Sequence, residues 1–207
     1  MTSTTETRAC APLLRADWQH IDRNSLEQMS ARDWAVLDAQ RSQFYREEQA
    51  RQALRMLTES AQDPSFGYTV NNFEHCLQSA TMALRDGLPE EDIVVCLLHD
   101  VGFIVAPHQH GDFAAALLGP YVSERNHWTL RRHAIFQDLH AHAHPSIDRN
   151  ARERWRGHPH FEWAASFVER YDQNAIDCRY ECAPLEVFEP MVHRIFARTP
   201  RQLPLPD

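Results

Sequence analysis

From Ala31 onward, apolar residues recur at three- and four-residue intervals among Arg, Gln and Glu, while strand-like alternation is nearly absent. That pattern predicts an all-α protein. Trp34, Leu37, Phe44, Tyr45, Ala53, Leu54 and Leu57 mark a first long helix, with Ser30 or Asp33 placed to cap its start. Asp63 to Tyr68 combines proline, glycine and aspartate and predicts a loop. Phe73, Cys76, Leu77, Ala80, Ala83 and Leu84 line one face of a helix from Asn72 to Asp86, stopped by Gly87. Pro89 suits the first turn of the next helix, and Glu90, Glu91 and Asp92 suit the positive end of its dipole. Its continuation, Ile93 to Leu98, is apolar nearly all round and predicts the most buried helix of the domain.

Beyond a connector from Ile104 to Gln109, Gly111 to Leu118 reads as a short helix ended by Gly119-Pro120. Ser123 is placed to cap one helix running from Glu124 to about Asp138, and His140 to Pro145 reads as a histidine-rich loop. Helices are expected over Phe161 to Asp177 and Leu185 to Ala197, then a tail containing Pro200, Pro204 and Pro206. Residues 1–30 are polar with scattered apolar positions and read as an arm; 31–207 read as a single helical domain. No apolar run approaches the roughly 20 residues of a membrane-spanning helix. Met1 to Ala11 lacks the basic-then-apolar layout of a secretory signal, so a cytoplasmic location is expected.

Composition narrows the function. Apolar residues at 43% of the 207 are enough for a core, and a net charge of −8 disfavours a nucleic-acid surface. Of the five cysteines, Cys76 and Cys96 fall in apolar helical patterns and read as buried thiols. Cys10 stands apart, and Cys178 and Cys182, four residues apart, do not suggest a disulfide framework. Histidine is the outlier, with eight of 13 lying between His99 and His144.

Those histidines suggest a metal. His99 and Asp100 are adjacent at the end of the apolar helix, and Gly102 is expected to end it so that both side chains turn to one point. His75, His110, His133 and Asp172 are the other candidate ligands, with Asp100 able to bridge two cations through its two oxygens. Each has a bland alternative. A His-Asp pair at a helix end can be a structural hydrogen bond, His108 competes with His110, and Asp177 competes with Asp172. His133 follows Arg131 and Arg132 and can belong to a basic face. Imidazole and carboxylate without thiolate suit iron, manganese or zinc.

The segments Glu74-His75-Cys76-Leu77-Gln78, Leu97-Leu98-His99-Asp100-Val101-Gly102 and Arg170-Tyr171-Asp172 resemble the H…HD…D signature of the HD-domain superfamily. The resemblance covers about residues 63–196 and implies an HD-domain helical bundle. Within that superfamily His75 with Gln78, followed downstream by His110 and His133, is similar to the mixed-valent di-iron oxygenases, the group of myo-inositol oxygenase and the phosphonate-cleaving enzymes. It implies two iron ions (Fe2+/Fe3+): His75, His99 and Asp172 on one, His110 and His133 on the other, Asp100 bridging. Where those enzymes carry basic substrate-binding residues, this chain has Phe103 and Gln137, which implies a less charged substrate. Gln137, Asp138 and His140 are then candidate polar contacts, and Tyr68 a residue able to cover the site. The function implied is dioxygen-dependent oxidation or cleavage of a small hydroxylated or amino-bearing molecule, with no nucleic-acid or membrane partner. The alternative within the superfamily is a phosphohydrolase using Mn2+, Zn2+ or Mg2+ on a small phosphoester or nucleotide. A third reading is a metal-stabilised binding protein without catalysis.

Overall fold

The computed structural model describes residues 11–203; Cys10, Pro204 and Pro206 lie outside them, as does nearly all of the N-terminal stretch read above for targeting. Among the described residues there are eight α-helices and no strand, so the chain is all-α. None of the helices is long and apolar enough to cross a membrane. The chain divides into two compact units, up to Glu48 and from Gln49 on.

In the first unit, bends and a 3-10 turn at Leu26–Gln28 precede α1 (Ala31–Glu59). Ser30 and Asp33 both act at its start: the Asp33 carboxylate accepts from Ser30 N (2.9 Å) and the Ser30 hydroxyl accepts from Asp33 N (3.2 Å). Trp18 lies edge-on to Phe44 at 6.2 Å.

The second unit begins with the buried end of α1, where Ala50, Ala53, Leu54 and Leu57 enter the core. Helix α2 (Asn72–Arg85) starts with a capping box: Asn71 accepts from Glu74 N and Glu74 accepts from Asn71 N. Beyond the turn at Gly87, α3 (Glu90–Leu98) is buried from Asp92 to Leu98, as its unbroken apolar run requires, and packs chiefly against α2. Its acidic first turn does more than suit the dipole. Glu90 pairs with Arg194 (2.6 Å), Glu91 with Arg198 (2.5 Å), and buried Asp92 accepts from Asn126 (2.6 Å) and pairs with Arg125. The most buried helix is thereby tied to its neighbours α5 (Glu124–Leu130) and α8 (Glu189–Phe196).

Three local features depart from the sequence reading. Gly102 does not end α3 by an unusual conformation; the helix closes at Leu98 and continues in tight turns. A Cβ at Gly102 would lie 2.6 Å from the Phe113 ring, so close approach of α4 (His110–Leu118) is what requires glycine there. The expected helix from Glu124 to Asp138 is broken at Arg131-Arg132 into α5 and α6 (His133–Gln137). The Leu130 carbonyl accepts from a His133 ring nitrogen (2.8 Å), and Arg132 N closes a shorter turn onto Thr129 O (3.0 Å). Finally, α7 (Phe161–Phe167) runs into a π-helical turn at Val168–Asp172, closed by Gln173 N onto Val168 O (3.0 Å). Such turns re-aim a side chain within an otherwise regular helix.

The α2 capping box gives a first prediction. Asn71→Ala should destabilise the protein by about 1 kcal/mol in urea denaturation, because it leaves the Glu74 N–H unsatisfied at the start of a buried helix. No change in the midpoint would mean that the cap contributes nothing.

Candidate metal centre

Six side chains from separate elements converge inside the second unit. His75 comes from the second turn of α2, His99 and Asp100 from the end of α3, and His110 from the first residue of α4. His133 opens α6 and Asp172 ends the π turn. All are buried apart from His110, which is partly so. The competitors are elsewhere in character: His108 is exposed, and Asp177 is exposed and paired with Arg179.

Each imidazole is oriented by a main-chain carbonyl. Nδ1 donates to Ala175 O from His75 (3.1 Å), to Cys96 O from His99 (2.8 Å), to Pro107 O from His110 (3.3 Å) and to Leu130 O from His133 (2.8 Å). With Nδ1 carrying the proton, the lone pair of a neutral ring sits on Nε2. All four Nε2 atoms point inward. His75 and His99 face each other Nε2 to Nε2 at 3.1 Å, and so do His110 and His133. Two lone pairs at hydrogen-bond distance repel unless a proton or a cation lies between them.

The carboxylates complete the arrangement. Asp100 Oδ1 lies 3.0 Å from His133 Nε2 and 3.4 Å from His110 Nε2, while Oδ2 lies 3.7 Å from both His75 and His99 Nε2. Asp172 Oδ1 is 3.5 Å from His75 Nε2 and 3.7 Å from His99 Nε2. Asp172 Oδ2 is buried without a hydrogen-bond partner. The donor atoms of His75, His99 and Asp172 lie within 4.8 Å of one another, as do those of His99, Asp100 and His133. These buried groups can hold a metal ion. An orphaned carboxylate oxygen and facing pairs of imidazole lone pairs are the arrangement a cation relieves. Burial pushes the Cys76 and Cys96 thiols up, so neither offers a thiolate.

The electrostatics of the cluster show the strain of so many donors together. Burial works against a charge on His99, but Asp100 and Asp172 beside it outweigh that and raise its pKa to about 9. Burial lowers His75, reinforced by the His99 charge, and burial also lowers His110. Burial opposes ionisation of Asp100 as well; His99 and His133 overcome it and hold the carboxyl well below the usual range.

The contacts of several supporting groups were not legible in the sequence. The Asn72 amide donates to Asp100 O (3.0 Å), holding the turn after α3 against α2. Gln78 accepts from Asp177 N (3.2 Å), which fixes the segment whose Ala175 carbonyl orients His75. Gln137, expected to contact substrate, donates to Asp172 Oδ1 (2.8 Å). A Cβ at Gly111 would meet Leu130 O at 2.5 Å and the His133 ring at 3.3 Å, so a bare backbone is needed where α4 passes His133. A cavity of about 400 Å³ opens beside the centre, with His75, Asp100 and Gln137 among its lining and exposed Tyr68 at its edge.

The chain matches no protein-family model, and no curated protein matches it.

Two outcomes test this geometry. Gly111→Ala should displace Leu130 O and tilt His133, weakening metal binding by roughly 10- to 100-fold in a competition titration; unaltered affinity would separate His133 from the ion. Coordination requires the Nε2 lone pair, so an ion must expel the proton that His99 holds up to about pH 9. Apparent affinity should therefore rise with pH through neutrality and level off above about 9. Affinity independent of pH would contradict that assignment.

Proposed function

We propose that the cluster is a two-iron centre of the HD-domain type, and that the protein is a dioxygen-dependent oxygenase of a small hydroxylated or amino-bearing substrate. The observation that carries this reading is the division of Asp100: one carboxylate oxygen faces the His75–His99 pair and the other the His110–His133 pair. The His110–His133 half then offers two histidines and Asp100, and the His75–His99 half adds Asp172, donor sets that suit non-haem iron with open positions. His75, His99 and Asp172 would hold one ion, His110 and His133 the other, with Asp100 shared. Iron bound there would supply one-electron chemistry toward dioxygen and Lewis-acid polarisation of a substrate hydroxyl or amine.

The chain's own residues do the rest. The four carbonyl-anchored imidazoles keep their Nε2 atoms aimed inward without reorganisation. Gln137 occupies one lone pair of Asp172 Oδ1 and fixes that carboxylate's rotation. The adjoining cavity positions a substrate against His75 and Asp100, and its apolar walls limit water there. Among the described residues, neither arginine nor lysine belongs to that lining. A phosphoester calls for such cations, which ranks metal-dependent phosphohydrolysis second.

Protein from iron-replete cells should carry about two irons per chain. Partial oxidation should give the paramagnetic resonance signal of a mixed-valent pair, and the reduced protein should consume dioxygen. Zinc or magnesium alone, no oxygen uptake, and hydrolysis of a phosphoester panel would establish the hydrolase instead.

A further inference from the structure

The cavity beside the centre has a wall with chemistry of its own. Phe66, Phe103, Ile104, Ile147 and Ile176 make it apolar on one side. Phe66 is held with φ of 54°, a left-handed conformation that is costly for a bulky side chain, and its ring stands edge-on to Phe103 at 6.4 Å. Although 68% exposed, it is kept there by a loop tied down through Thr69, whose hydroxyl donates to Ile176 O (2.8 Å). An aromatic ring presented in strained backbone at a cavity edge has no folding purpose in view; contact with a ligand gives it one.

The polar part of the wall is one-sided in charge. Asp138 lines the cavity, and among the described residues its carboxylate has no hydrogen bond and no ion pair. The charged groups acting on it are Asp148 and His144; burial, then Asp148, push its carboxyl up. Among the described residues no arginine lines the cavity to balance it, and the chain contains no lysine anywhere. Arg149 is engaged with Leu139 O (3.0 Å) outside that lining, and the lining's other basic groups are imidazoles. A partly desolvated carboxylate beside a second one, without an ion-pair partner, favours a cation brought by the ligand and disfavours an anionic group.

We infer that the cavity takes a small amphipathic cation, an alkyl- or arylalkylamine whose ammonium pairs with Asp138 while its apolar body lies against Phe66, Phe103 and Ile176. This rests on the cavity being the substrate site of the centre proposed above, and it narrows that substrate to the amino-bearing class. The ammonium and the group facing His75 and Asp100 are then separate parts of one molecule.

The test is a titration of the purified full-length protein under argon with 2-phenylethylamine and with 2-phenylethanol, followed by ligand-observed NMR. The two probes share the apolar body and differ in charge. The amine should bind roughly tenfold more tightly than the alcohol. Asp138→Asn, which preserves size, should bring the amine down to the alcohol's level and leave the alcohol unchanged. Phe66→Ala should weaken both probes alike. The inference is overturned if the amine binds no better than the alcohol, or if its advantage survives Asp138→Asn. The readout is probe binding and needs neither turnover nor dioxygen. Loss of the amine preference therefore refutes the ligand class alone, and a protein without iron but with that preference refutes the oxygenase alone.

Discussion

Four imidazoles with their Nδ1 atoms committed to backbone carbonyls leave four Nε2 lone pairs aimed at one another and at two carboxylates. That constraint governs the second unit. Facing nitrogens at 3.1 Å and an orphaned, buried Asp172 oxygen call for a positive charge between them. A proton on His99 supplies part of that charge; a metal ion would meet the same need with all four rings neutral. Neighbouring irregularities of the fold serve to bring the donors to this point. The chain stops being helical after Leu98, breaks at Arg131-Arg132, and widens into a π turn before Asp172.

The regular parts supply rigidity. Helix α3 is buried along nearly its whole length, and its acidic first turn is tied to α5 and α8 by paired and hydrogen-bonded side chains. Its far end, which carries His99 and Asp100, is therefore anchored from behind. Close packing around it demands two glycines: Gly102 lets the Phe113 ring approach, and Gly111 lets α4 pass Leu130 O and His133. Metal sites need such support, because a ligand loose by an ångström gives up much of its affinity.

Helix periodicity made much of this legible. The spans of α1 to α4 follow closely from their apolar spacing, and Ser30 and Asp33 are readable as caps; the Asn71-Glu74 capping box came only with the structure. The structure brings His75, His99, Asp100, His110, His133 and Asp172, all named from the sequence as candidates, to one place. The break before His133 was hidden, because Glu124 to Asp138 carries neither glycine nor proline to announce it. A side chain competing for the Leu130 carbonyl decides it, and that is a tertiary event. The π turn at Asp172 was hidden for the same kind of reason. Gln137 lines the cavity and also donates to Asp172 Oδ1, a contact no spacing announces, and Asn72 and Gln78 act through backbone groups that a one-dimensional pattern cannot pair.

Everything distinctive in the account depends on Asp100 serving two ions at once. Anomalous diffraction at the iron edge from iron-loaded crystals tests that most directly. Two separate peaks, roughly 4 Å apart, should appear, one among His75, His99 and Asp172 and the other between His110 and His133, with an Asp100 oxygen turned to each. A single peak, or none within reach of Asp100, would contradict it.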